Sequence, residues 1–219
     1  MTKKEEAEQK RAARLKKEQD RVEELCRYEK LYWDQYPFIA GIDEVGRGPF
    51  AGPVMTAAVV LPRDCRILHI NDSKKLSAKR REELYLEIKE NALAIGIGRV
   101  EPEKIDEINI LQATYKAMRE AVSKLEVKPD MLLIDAVHIP DLDVKQVSII
   151  KGDAQSQSIA AASIIAKVTR DHIMEEYDRI YPGYDFASNK GYGTAAHIRA
   201  LKELGPCPIH RRSFIHNYV

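Results

Sequence analysis

Cysteine is scarce in this 219-residue chain, with only Cys26, Cys65 and Cys207, far apart and odd in number. They offer neither a disulfide framework nor a zinc spacing, which suits a reducing compartment. Net charge is almost absent: Lys+Arg 35 against Asp+Glu 34 leaves +1. The total therefore speaks neither for nor against a nucleic-acid partner, and only the distribution of charge can inform. No apolar run approaches the roughly 20 residues of a membrane span, and the charged amino terminus has no signal-peptide core. A cytoplasmic address with no membrane partner is expected. Glycine and proline are missing from Thr2 to Tyr32, where Lys, Glu, Arg and Ala dominate. That stretch reads as a helical, charged extension over residues 1–35. At 1.5 Å per residue it would be about 45 Å long, against a radius of gyration of about 17 Å for a globule of this size. Its first half should project, and Leu25, Tyr28, Leu31, Tyr32 and Trp33 should dock its end. A solvated appendage is the reading that charge runs favour; a nucleic-acid-binding arm is the alternative.

The remainder, 36–219, is expected to be one α/β domain. The organising stretch is FIAGIDEVGRGPFAGPVMTAAVV, from Phe38 to Val60. An apolar strand ends on Asp43 and Glu44, a Gly-Arg-Gly turn follows, and a second strand covers Val54 to Val60. Ser77 reads as the cap of a helix with Leu84 and Ile88 on its apolar stripe. Ala92 to Val100 is a third strand, whose two glycines predict a bend or a close backbone approach. A short helix (Glu103 to Asn109) and a longer one (Leu111 to Leu125) follow. Two more strands, Met131 to Ile134 and Val144 to Ile150, lead into Asp135 and into Lys151-Gly152-Asp153. Gln155 to Ile180 is a long helix that begins with small apolar residues. Tyr181 to Gly193 reads as a loop and Ala195 to Leu204 as the last clear helix. Strands with short links, then strands alternating with helices, predict a mixed sheet.

Three strands thus stop on acids: Asp43 with Glu44, Asp135, and Asp153. The carboxyl ends of strands are where α/β folds place their sites. Converging carboxylates repel unless cations neutralise them. All-oxygen ligands suit Mg²⁺ or Mn²⁺, and two such ions about 4 Å apart can clamp a phosphodiester. Singly, Asp153 could be a helix cap and Asp135 a turn residue; jointly the pattern favours metal. Asp171 is the rival for fourth place, ranked lower because it ends no strand.

Gly46, Arg47 and Gly48 lie immediately beyond the acid pair. Glycines admit a ligand to the backbone, whose N–H and C=O groups can read a ribose 2′-hydroxyl; a tight turn with Arg47 in an ion pair is the plainer alternative. Lys74, Lys75, Lys190, Arg211 and Arg212 are candidate phosphate contacts, which position a duplex without reading its sequence. Tyr192, between two glycines, is a candidate for stacking on a base or sugar; a partly buried loop anchor is the alternative.

In order along the chain stand GIDEVGRGPFAGPV, NDSKKLS, LLIDA, KGD, SIAAASIIAKVTRD, KGYGT and HRRSF. This set, from Phe38 to Phe214, resembles bacterial type 2 ribonuclease H, the ribonuclease HII family. One departure is Gly193, where many relatives carry proline after the tyrosine. The resemblance implies a ribonuclease H-like five-stranded mixed sheet flanked by helices, with a helical carboxyl-terminal part. It implies that Asp43, Glu44, Asp135 and Asp153 hold two Mg²⁺ or Mn²⁺ ions with substrate. It further implies that Gly46, Arg47 and Gly48 recognise the 2′-hydroxyl at a DNA–RNA junction, with Tyr192 stacking on the neighbouring sugar. The expected partners are RNA–DNA hybrids and DNA duplexes containing ribonucleotides. The expected reaction is cleavage 5′ of a ribonucleotide, leaving 3′-hydroxyl and 5′-phosphate ends, by a monomer. Two other classes were weighed. One is a two-metal nuclease of the same fold needing several consecutive ribonucleotides. The other is a non-catalytic hybrid-binding module, which would have no use for clustered acids. The short carboxyl-terminal clamp-binding signal is not evident after HRRSF.

Overall fold

The computed structural model describes residues 2–219. Five strands form one sheet: β1 (Ile39–Val45), β2 (Val54–Val60), β3 (Ala94–Val100), β4 (Met131–Asp135) and β5 (Lys145–Ile149), in the order β3-β2-β1-β4-β5. β1 runs antiparallel to β2, and β2 to β3, whereas β4 lies parallel to both β1 and β5. The mixed sheet is as the sequence pattern predicts. β2 is buried along its whole length because both faces are covered. Its alternation is visible in what each side chain meets: Ala57 and Val59 pack with helix α5 (Gln157–Ile180), and Ala58 and Val60 with α4 (Pro102–Ser123). Gly96 and Gly98 bring β3 against α4; a Cβ on either would lie 2.0 or 1.8 Å from a helix carbonyl oxygen.

α3 (Ala78–Asn91) is capped by Ser77 and buries Leu84 and Ile88, as expected. α4 is one run broken at Asn109, whose backbone turns to φ 66°. The Asn109 side chain accepts from the N–H groups of Leu111 and Gln112 and so caps the second half. The expected two-helix boundary is therefore there, but Leu111 is 41% exposed and off the core stripe.

Three expectations are corrected. The amino-terminal helix is not continuous: α1 (Lys3–Leu25) and α2 (Arg27–Tyr32) meet at the buried Cys26. Its end does dock as expected, with Val22, Leu25 and Trp33 buried, but Leu31 is 70% exposed and takes no part. β5 stops at Ile149, and Asp153 sits beyond it in a single 3₁₀ turn, Gly152–Ala154, not at a strand end. The segment from Tyr181 to Gly193 contains a short helix, α6 (Phe186–Asn189). α7 (Ala195–Leu204) and the short α8 (Arg212–Ile215) complete the carboxyl-terminal part. Among the described residues, no helix is long and apolar enough to cross a membrane.

Candidate active site

The parallel pairing of β1 and β4 sets Ile42 beside Ile134. The next residue on each strand is an acid, Asp43 and Asp135, so the two leave the sheet side by side. Asp135 Oδ1 accepts the Gly152 N–H at 2.7 Å, which ties it to the turn carrying Asp153. Asp43 is buried and lines the same cavity as Ser163 of α5, and its Oδ1 accepts the Glu44 N–H at 2.8 Å. Ser163 in turn lies 2.9 Å from the Ser73 hydroxyl, in the turn just before Lys74. Five chain segments thus meet around one opening.

The charges there are frustrated. Burial pushes the Asp43 carboxyl well above the usual range, and the negative charges of Glu44 and Asp135 push it further. Burial also raises Glu44, and Asp135 adds to it, while the bond from Arg47 opposes. Asp153 is raised by burial and by the charges of Asp72 and Asp135, against Lys74. Burial alone would lower Lys74, but Asp43, Asp153, Asp72 and Asp135 together hold it above its ordinary value. Glu44 Oε1 meets Arg47 at 3.2 Å, yet Glu44 Oε2 is buried with no partner. A buried carboxylate oxygen without a donor is costly, and its natural remedy is a cation. The donor set is all carboxylate oxygen, which fits a hard divalent ion and not zinc. Among the described residues, no three His, Cys, Asp or Glu side chains are drawn into a ready-made ligand set. The acids ring the opening instead, with Lys74 common to its two halves, of about 260 and 470 Å³.

Asp171 is not part of the ring. It pairs with Lys167 at 2.6 Å and stands 4.0 Å from Arg81.

The glycine turn is held from behind. Gly46 has φ +86°, and a Cβ there would lie 2.3 Å from Arg170 Nε, so only glycine fits. Arg170 and Arg211 are fully buried. Arg170 donates to the carbonyls of Pro53, Ala51 and Lys190. Arg211 donates to those of Gly46, Arg47 and Gly52. Arg211 is therefore no surface phosphate contact, and that expectation is corrected: five donors and no acceptor suit it to satisfy inward-turned carbonyls. Lys190 is engaged as well, 2.7 Å from Glu175. Lys74, Lys75 and Arg212 are exposed. Arg47 is in the ion pair that the plainer reading of the turn allowed. Tyr192 is 44% exposed. A Cβ on Gly48 would sit 3.8 Å from the Tyr192 ring, so Gly48 and Tyr192 face each other across a narrow gap.

Sequence reasoning missed Ser163, Asp72, Lys167 and the role of Arg170. Ser163 and Arg170 stand seven residues apart, two turns of one helix face. A polar pair on the apolar face of α5 was the available signal.

A sheet of this order, with helices on both faces and a carboxylate ring at its parallel strand ends, defines a metal-dependent nuclease of ribonuclease H-like architecture. The family model described as ribonuclease HII matches residues 40–217. A ribonuclease HII of Lachnoclostridium phytofermentans is 64% identical over 207 residues, covering 94% of this chain and 81% of the relative. One from Caldanaerobacter subterraneus is 56% identical, covering 92% and 84%. The crystal structure of ribonuclease H2 from Pyrococcus horikoshii aligns with TM-score 0.66 at 28% identity, covering 83% of this chain and 96% of that one. The ribonuclease HII of Archaeoglobus fulgidus, solved as a complex with PCNA, aligns with TM-score 0.68 at 31% identity, covering 80% and 93%. The chain belongs to the ribonuclease HII family. It is a divalent-metal-dependent endoribonuclease acting on the RNA of RNA–DNA hybrids.

Proposed function

We propose that the enzyme also nicks DNA duplexes at single embedded ribonucleotides, on the 5′ side, leaving 3′-hydroxyl and 5′-phosphate ends. The observation that carries this reading is the adjacency of two features: the acids Asp43, Glu44, Asp135 and Asp153 around an opening that Lys74 spans, and the exposed Tyr192 ring facing Gly48 at the edge of that opening. The four carboxylates would hold Mg²⁺ or Mn²⁺, two ions when substrate is bound. Those ions supply Lewis acidity, activating water and offsetting charge on the leaving 3′-oxygen.

The chain's own residues do the rest. Backbone groups of Gly46, Arg47 and Gly48 face the 2′-hydroxyl, the group that separates RNA from DNA. Tyr192 packs on the adjoining sugar. Lys74, Lys75 and Arg212 meet phosphates. Fixed donors and charges aimed at the reacting phosphate make a protein nucleophile unnecessary, so no serine or histidine becomes covalently attached. Substrate oxygens would help Asp43, Glu44, Asp135 and Asp153 to hold the ions, which would couple reading of the 2′-hydroxyl to activation. The enzyme works as a monomer in the cytoplasm.

The test is cleavage of matched duplexes with one ribonucleotide or none, in Mg²⁺ or Mn²⁺, with product ends mapped. A nick 5′ of the lone ribonucleotide, with the all-DNA duplex bound but uncut, is expected. Equal cutting of the all-DNA duplex would refute the reading.

A further inference from the structure

The amino-terminal helix carries its charge unevenly. Residues 3–17 hold seven basic and three acidic side chains, whereas residues 18–25 hold one basic and four acidic. The acidic half is the docked half. Glu18 accepts the His69 N–H at 2.6 Å, Arg21 donates to the Ile70 carbonyl at 2.7 Å, and Val22 and Leu25 are buried. Arg27, at the start of α2, bonds Gln155. These anchors lie beside the active opening, a few residues from Lys74 on one side and from Asp153 on the other. The first half leaves the body at that rim, and every residue from Thr2 to Lys17 is exposed.

Four of the seven basic side chains of residues 3–17 also share a face, with Lys4, Arg11 and Lys16 outside it. At about 100° per residue, Lys3, Lys10, Arg14 and Lys17 fall in one stripe about 60° wide. Arg21 continues that stripe and Leu25 borders it, and both are turned toward the body. Glu6 flanks the stripe; Glu5, Glu8 and Lys16 lie on the far side. Arg21 and Arg27 in the docked part are each paired with a glutamate. Among the described residues, Lys3, Lys10, Arg14 and Lys17 have no such partner.

We propose that this stripe is a duplex clamp: it holds the phosphate backbone of substrate about 20 Å beyond the cleavage opening, a reach set by 14 residues of helix. The inference rests on the duplex-cleaving activity above but adds a second contact surface. It predicts affinity without specificity, since phosphate contacts carry no sequence information.

The experiment uses the full chain and the triple variant Lys10→Gln, Arg14→Gln, Lys17→Gln, with glutamine chosen to keep helix propensity. Binding to an all-DNA duplex of about 30 bp is measured by anisotropy across a salt series. Each lost phosphate contact flattens the log–log salt slope by about 0.9, so the slope should fall by about 2–3. KM for a long single-ribonucleotide duplex should rise about ten-fold at 0.1 M salt, with kcat unchanged. A duplex of about 10 bp, too short to pass under the arm, should be unaffected. The charge-keeping variant Lys10→Arg, Arg14→Lys, Lys17→Arg should restore the slope, and Lys16→Gln should leave it alone. An unchanged slope in the triple variant overturns the proposal, as does an equal per-residue loss from Lys16→Gln. Weakened binding to anionic vesicles with the duplex slope intact also overturns it, in favour of a membrane surface. Wild-type failure to nick at a ribonucleotide would sink the functional reading instead, and the slope measurement would stand apart from it.

Discussion

Arg211→Lys separates two roles that a basic residue near a nuclease site can play. Were Arg211 a phosphate contact, lysine would keep the charge and cost little. In the structure it is fully buried, and its guanidinium serves three carbonyls at once, those of Gly46, Arg47 and Gly52, at 2.6–3.0 Å. An ammonium has no fork, so about two of those carbonyls would be left without a donor. Each buried, unsatisfied group costs about 1–3 kcal/mol, giving a loss of about 2–5 kcal/mol. For a chain of this size each kcal/mol is about 2–4 °C of Tm, so a drop of about 5–15 °C is expected. Burial, and then the like charge of Arg170, already pull the Arg211 guanidinium down to about 9. An ammonium in the same place would be driven toward its neutral form. The turn from Gly46 to Gly52 then loosens, and a misaligned 2′-hydroxyl contact worth about 1.4–2.8 kcal/mol corresponds to a 10–100-fold loss of kcat/KM. The assays are thermal unfolding and kcat/KM on a single-ribonucleotide duplex. A variant within about 2 °C and twofold of wild type would show that Arg211 does not hold the turn.

Further outcomes are expected elsewhere. Asp135→Asn keeps an oxygen for the Gly152 N–H, bonded at 2.7 Å, so the fold and hybrid binding should survive while cleavage is lost. Retention of more than about a tenth of the rate, about 1.4 kcal/mol of barrier, would argue against a metal role. Gly48→Ala adds a methyl 3.8 Å from the Tyr192 ring, an ordinary contact, so Tm should hold. The same methyl would shield the backbone proposed to read the sugar, and kcat/KM should fall at least about ten-fold; unchanged turnover would mean that no sugar approaches there. Glu29 is buried and its carboxyl is raised by burial, against the bonds from Ser156 and Ser158. A raised folded value means that stability is fully present below the unfolded value, about 4.5, and is lost as pH rises through the folded one. Glu29→Gln removes that dependence, so the Tm difference, variant minus wild type, should rise with pH across this window and then level off. A difference that falls with pH would show the sign to be wrong.

The strands, the helices and the acids Asp43, Glu44 and Asp135 were legible because local signals mark them. The small and β-branched run of β2, the Ser77 cap and the acids at the ends of β1 and β4 are all visible within a few residues. What could not be read depends on partners far along the chain. Arg211 and Arg170 look like surface cations until the inward-facing carbonyls of residues 46–53 are known. Asp153 reads as a strand end because Ile150 carries the apolar run to within three residues of it, yet Lys151 adopts φ 56° and turns the chain. Glu29 looked like one more charge in a charged helix. It is buried because its Oε1 accepts from Ser156 and from the Ser158 N–H at the start of α5. No spacing rule reports a contact across about 130 residues.

These long-range contacts converge on α5. Its first turn is fixed by Glu29, Ser163 lines the opening beside Asp43, and Arg170 supports Ala51, Pro53 and Lys190. The carboxylate ring and the Gly46–Gly48 turn therefore rest on one element, with Ser163 and Arg170 about 10 Å apart along its axis. A displacement of that helix would move both together. Loops that carry binding groups are ordinarily the mobile part of a fold; here buried guanidiniums fix the loop carbonyls to the helix. On the proposed reading, the sugar would be measured against the same body that positions the acids. That is the geometric condition for a nuclease to cut at one ribonucleotide and not at its deoxy neighbour.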